Sequence, residues 1–168
     1  MQADSLIPRP IDGCRTGSGL NLYHDSQVAV PDVLSHRHAA ELRSYSEPGT
    51  WWSAQERSRI VQEARSARRV AGVQEPNETS DDRWDEGPEL PGSAREVVRH
   101  LALSTLNVDR AFLEDALAAG VSEGQYVEIV GIVARIVNLD VFARGIDVPT
   151  RELGAVEKGS RGVRARPR

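Results

Sequence analysis

The chain has 168 residues, of which 39% are hydrophobic and only 5% aromatic, with one cysteine and a formal charge of −4. That length suits one domain with tails and an aliphatic core, and the lone Cys14 excludes an intrachain disulfide framework. The charge is uneven: residues 150–168 are net +4, leaving −8 on residues 1–149, and so acidic a body argues against nucleic-acid binding.

Residues 1–30 carry Pro8, Pro10 and several glycines, with no sustained periodicity and no long apolar core. An irregular arm is expected there rather than a signal peptide. Pro31 suits the first turn of a helix, and Val33, Leu34, His38 and Leu42 give a loose amphipathic pattern to about Tyr45. SEPGT at 46–50 reads as a turn. Trp51 and Trp52 then precede Ser53, which forms an S-x-x-E capping box with Glu56. Ile60, Ala64, Ala67 and Ala71 repeat at helical spacing to near Gly72, and Arg57, Arg65, Arg68 and Arg69 occupy the opposite face.

From Gln74 to Gly92, acids, three prolines and Trp84 predict a long loop, with the tryptophan as its anchor. Ser93 and Glu96 repeat the capping box before Val97, Val98 and Leu101, giving a short helix to about Ser104. Asp109 caps RAFLEDALAAG, with Phe112, Leu113, Ala116 and Leu117 inward and Gly120 closing it. Ser122 with Gln125 opens the last helix, which should stop near Gly145 with Pro149 beyond. Past Thr150 a basic, Gly- and Arg-containing tail is expected to be mobile. The expected architecture is all-α with about five helices: an arm over 1–30, a helical domain over 31–149 and a tail over 150–168.

The last helix, SEGQYVEIVGIVARIVNLDVFARG, is the most apolar segment, yet Glu128, Arg135, Asn138 and Asp140 interrupt it too often for a membrane span. A cytoplasmic protein without a membrane partner is the default. Glu128, Gly131, Arg135 and Asn138 fall on one face of that helix. Glu128 and Arg135 are about 10 Å apart along its axis, a separation that can bracket a small anionic or polar substrate beside Gly131. The same stripe would equally serve as a seam against a neighbouring subunit. Asp140 and Arg144, at i,i+4, predict a local ion pair.

LEDALAAGVSEGQYVEIVGIVARIVNLDVFARGIDVP resembles the C-terminal half of the alkylhydroperoxidase D-like/carboxymuconolactone decarboxylase superfamily. WWSAQERSRIVQEARSARR resembles the element before the redox centre of its peroxidase-related branch, so the likeness spans roughly residues 50–149. The resemblance implies an alkylhydroperoxidase D-like helical bundle and a homo-oligomer, trimeric or hexameric. It also implies a Cys-x-x-Cys centre, where one thiolate attacks peroxide and the other resolves the sulfenate. Carried across, that motif falls on Val70-Ala71-Gly72-Val73, with Asn77 near the place of a downstream histidine. Both thiol positions are valine, and no cysteine follows Cys14, so thiol peroxidase activity is not expected.

Thiol-free members of the superfamily work without a cofactor, by acid–base side chains on a small lactone acid. On that resemblance the candidate catalytic residues are Glu63, His100 and Glu128, with Tyr126, Arg135 and Asn138 to bind substrate. Glu63 stands one residue from the apolar face of its helix, where a carboxylate can act as a base. His100 sits beside Val97 and Leu101, and Tyr126 begins the last helix as a hydrogen-bond donor. Each also has a plain structural role open to it: an arginine-paired glutamate, a packed histidine, a subunit contact. His36 and His38 point to different helix faces, so no metal constellation is expected. The first expectation is therefore cofactor-independent decarboxylation, isomerisation or cyclisation of a small polar substrate. A non-enzymatic oligomeric binding or scaffold protein is the alternative, and an oxidoreductase with a bound cofactor a further one.

Overall fold

Three of the helices start at the capping signals of the sequence. In the computed structural model, residues 21–73, 89–104 and 107–156 are described, and among them the chain forms five α-helices and no strand. These are α1 (Asp32–Ser44), α2 (Ala54–Val70), α3 (Gly92–Leu103), α4 (Arg110–Ala118) and α5 (Glu123–Gly145). The all-α expectation holds for these residues. Cys14, Trp84 and Asn77 lie outside them, as does most of the acidic loop.

Ser53 caps α2 and Ser122 caps α5, each in a reciprocal capping box, and Asp109 caps α4 by accepting from the Phe112 N–H at 3.0 Å. Gly72 and Gly120 take positive φ just past α2 and α4, the left-handed turn that ends many helices. At α5 the positive φ falls on Asp147 instead, after Gly145 has closed the helix. The Ser93–Glu96 box does not form. Pro91, with φ of −49°, takes the N-cap position and starts α3 at Gly92, which leaves Ser93 inside the first turn.

The core is aliphatic, as the composition requires. Ile60, Val61 and Ala64 of α2, Val98 of α3, and Ile129, Val133 and Ile136 of α5 are essentially without solvent contact. Helix α2 packs against both α3 and α5, and α4 closes against α5. This placement corrects the reading of an outer arginine face on α2. Arg57, Arg65 and Arg68 turn inward, because a helix flanked on two sides has too little free perimeter for a wholly solvated face. Arg68 is buried and donates to the Ala102 carbonyl at 3.0 Å.

Arg65 forks onto Asp140 at 2.9 and 2.6 Å and also reaches the Arg151 carbonyl at 3.0 Å. The expected Asp140–Arg144 pair is therefore replaced by a link between helices. Asp140 is buried on the α2 side of α5, whereas exposed Arg144 donates to the Val73 carbonyl at 2.6 Å.

In α1 the inward residues are Ser35, His38 and Leu42, and Val33 is exposed. Ser35 Oγ accepts from the Leu22 N–H at 2.7 Å, which draws residues 21–30 of the expected arm onto the helix. Tyr23 is buried with Ala143 and Val148, and its hydroxyl meets His38 Nδ1 at 2.7 Å. Residues 150–156, expected to belong to a mobile tail, are tied down as well. Arg151 pairs with Asp25, and Ser46 donates to the Gly154 carbonyl at 2.8 Å.

Candidate functional site

The 45–52 turn is built to lie against α5. Trp52 is buried and its Nε1–H donates to the Gln125 carbonyl at 3.1 Å, which anchors the turn to the first turn of α5. Trp51 lies over Gly124, where a β-carbon would collide with the indole, so glycine at that position is a close-approach requirement. Gly49 has the same role against Glu128.

Between this turn, Arg57 of α2 and the α5 residues Val127, Glu128, Gly131, Ile132 and Arg135 lies a depression of about 690 Å³. The turn contributes Tyr45, Pro48, Gly49, Thr50 and Trp51 to its wall. Three of the four stripe positions, Glu128, Gly131 and Arg135, thus open onto one concave surface. Gly131 adds no side chain to this wall, and nothing lies within 4 Å of where its β-carbon would stand.

The three charges on this wall differ in how they are held. Glu128 is nearly buried and has both oxygens engaged, Oε1 by Arg57 and Oε2 by the Trp51 backbone N–H at 2.9 Å. Arg57 also donates to the Ser44 carbonyl at 3.1 Å. Glu128 and Arg57 therefore fasten turn, α2 and α5 together. Arg135 is 66% exposed and makes a single contact, at 3.2 Å, to Glu41 of α1. Tyr45 is buried, with its Oη toward the Glu41 carboxylate but no hydrogen bond of good geometry closing on it. Burial pushes its phenol well above the usual range, and the nearby Glu41 carboxylate adds to this, so it stays protonated and able to donate.

The remaining candidates stand elsewhere. Glu63 faces α3, with Arg99 Nε at 2.6 Å and Arg95 Nε at 3.9 Å from its carboxylate. His100 stacks on Phe112 of α4, ring centroids 4.2 Å apart, and its Nε2 is 3.4 Å from the Asn107 carbonyl. The structure therefore does not bring Glu63 or His100 to Glu128. Tyr126 is buried toward Phe112 with its phenol raised by burial, Asp109 adding to the effect, and it does not line the depression. Asn138 is exposed on α5 beyond the depression. Val70 and Val73, at the thiol positions implied by the resemblance, are exposed at the end of α2.

Sequence reasoning offers Tyr45 only as one of three tyrosines able to donate, and Trp51 with Trp52 only as a staple for the start of α2; Gly49 and Glu41 it does not single out. The SEPGT turn signal points to their neighbourhood, but nothing local tells that the turn folds back onto a helix 77 residues further on. Among the described residues no three His, Cys, Asp or Glu side chains are grouped to hold a metal ion, and no helix is long and apolar enough to cross a membrane. Comparison with family models, with curated proteins and with solved structures returns no match for this chain.

Proposed function

We propose that this chain is a binding protein whose depression between the 45–52 turn and α5 receives a small polar molecule. The observation that carries this is the convergence of Glu128, Gly131 and Arg135 with Tyr45 and Arg57 on one concave wall. Its volume falls within the range of small-molecule sites, about 300–1,000 Å³. Acid–base turnover needs an acid and a base facing one substrate. Glu63 is held between two arginines, His100 lies against Phe112, and Glu128 has both oxygens occupied. Binding is therefore what the geometry supports best. The likeness to the alkylhydroperoxidase D-like superfamily enters only as a proposal of shared architecture, with valines where that superfamily's peroxidases carry thiols.

Gly131→Leu tests the reading, because it puts an apolar side chain into the depression from a position whose β-carbon meets no protein atom. A metabolite library is screened by thermal shift against the wild type and the variant. The expected result is ligands that raise the wild-type midpoint and leave the variant unmoved. A screen with no hits, or hits indifferent to the leucine, refutes it.

A second reading, self-association through α5, is favoured by one specific pattern. Val127, Gly131, Ala134, Asn138, Val141 and Gly145 form a 4-3-4-3-4 stripe in which both valines are exposed, at 64% and 46%. The spacing is palindromic. Two antiparallel copies would set Val127 against Gly145 and Val141 against Gly131, bulky side chains opposite glycines. Light scattering of the wild type and of Val141→Glu decides this: a mass that falls to that of a monomer supports the seam, and an unchanged mass rules it out.

A further inference from the structure

We infer that the depression selects a small organic monoanion, a carboxylate on an apolar body, with Arg135 as the cation that grips it and Glu41 as the internal carboxylate it displaces. This rests on the binding reading above and names its ligand class.

Of the three charges on the wall, Arg57 and Glu128 neutralise each other at 15% and 9% side-chain exposure and also hold the turn in place. Neither is free to select a ligand. Arg135 is. One Nη touches one Glu41 oxygen at 3.2 Å, and the two side chains are 66% and 27% exposed. An exposed, single-point pair of this kind holds weakly. A guanidinium prefers two parallel hydrogen bonds to one carboxylate, and Glu41 does not supply them. A ligand carboxylate entering over Gly131 does.

The floor points the same way. Tyr45 is 1% exposed and lines the depression, its Oη turned toward the Glu41 carboxylate but without a well-formed hydrogen bond to it, and Arg57 Nε is buried without a partner. A protonated phenol is completed by an accepting oxygen, a part that Glu41 fills only loosely and that a ligand carboxylate would take over. Oη is influenced by Glu41, Arg135 and Arg57 together, so it sits among the groups that an incoming carboxylate would meet. A cationic ligand would face Arg135, with the one wall carboxylate already spent on Arg57 and the Trp51 N–H. A doubly charged anion would find one releasable cation, so single charge fits best. Trp51 and Val127, 45% and 64% exposed, line the depression too, with Ile132 and Pro48, and offer apolar surface for a hydrocarbon or planar body.

The test is isothermal titration of the full chain with 3-phenylpropionate, its amide, and 3-phenylpropylamine. The acid should bind at least tenfold more tightly than either analogue. Arg135→Gln should weaken the acid roughly tenfold and leave the amide unchanged, the worth of one charge-assisted contact. Glu41→Gln should tighten the acid severalfold, because the competing carboxylate is gone; a merely structural role for Glu41 predicts no gain. Circular dichroism checks that both variants fold. An amide that binds as well as the acid overturns the anion selection and leaves the binding reading standing. Failure of all three probes overturns the ligand class, while the library screen judges the depression separately. Acid binding that survives Gly131→Leu places the ligand elsewhere and overturns the inference.

Discussion

Replacing Asp140 by alanine removes the one carboxylate that answers Arg65 between α2 and α5. Asp140 is 5% exposed and Arg65 17%, and the fork has two hydrogen bonds of 2.9 and 2.6 Å. Breaking a buried pair costs about 3–5 kcal/mol, mainly because the surviving charge is left unpaired. Arg65 keeps some access to water and its bond to the Arg151 carbonyl, so about 2–3 kcal/mol is expected here. For a chain of this length that lowers the melting midpoint by about 4–12 °C. Arg144→Ala is the control, since the local pairing suggested by sequence spacing would make it equally costly. Arg144 is exposed and, among the described residues, its side-chain hydrogen bond is to the Val73 carbonyl, so its loss should cost less than about 1 kcal/mol. Urea denaturation of the two variants measures both. Equal losses, or an Asp140→Ala loss below about 1 kcal/mol, would refute the inter-helix assignment. The double replacement Arg65→Met with Asp140→Leu should recover most of the stability, because it leaves no orphaned charge.

Two further outcomes are expected. Gly131→Ala should stabilise by about 0.5–1 kcal/mol, the ordinary gain of alanine over glycine inside a helix. Gly124→Ala should fail to show it, because its β-carbon drives into the Trp51 indole; tryptophan emission and the denaturation midpoint report both, and equal gains would contradict the packing. Stability should also fall as pH drops from about 7 to about 5.5. Burial lowers the His38 pKa from its usual 6.5, with Glu41 opposing, so the unfolded chain takes up the proton first. This contribution is full above the unfolded value and declines through the window below it. His38→Gln should flatten that slope, and an unaltered slope would remove His38 as its source.

Most of the fold was legible because caps are local. Ser53 with Glu56, Asp109, and Ser122 with Gln125 each carry their partner three residues away, and each is found in that role. Ser93 with Glu96 has the same spelling and is not used, since Pro91 had already set the helix start. What could not be read is which face of α2 meets which neighbour. A periodicity plot gives one apolar face per helix, whereas α2 is flanked by α3 and α5, and its arginines fill the second contact. The candidate site was half legible. The stripe on α5 marked one wall, but Tyr45, Trp51 and Glu41 reach it through contacts distant in sequence, and the chemistry assigned to Glu63 and His100 presumed a cavity shared with Glu128, whose depression neither of them lines.

The polar residues of α5 divide by whether the fold answers them. Glu128 meets Arg57 near the start of α2, and Asp140 meets Arg65 two turns later, so α2 and α5 run in the same sense. The pairs span about 12 Å on α2 and about 18 Å on α5, a difference that long arginine side chains take up. Two such rungs specify one register between helices whose apolar contacts alone would tolerate several, and that accounts for a carboxylate at both positions. Gly131 and Arg135 lie between the rungs and serve neither. Gly131 gives up helix propensity and packs against nothing, and Arg135 holds one exposed contact. Residues that weaken a helix or add nothing to its packing, flanked by residues that fix it rigidly, are the arrangement of a binding wall set in a stiff frame.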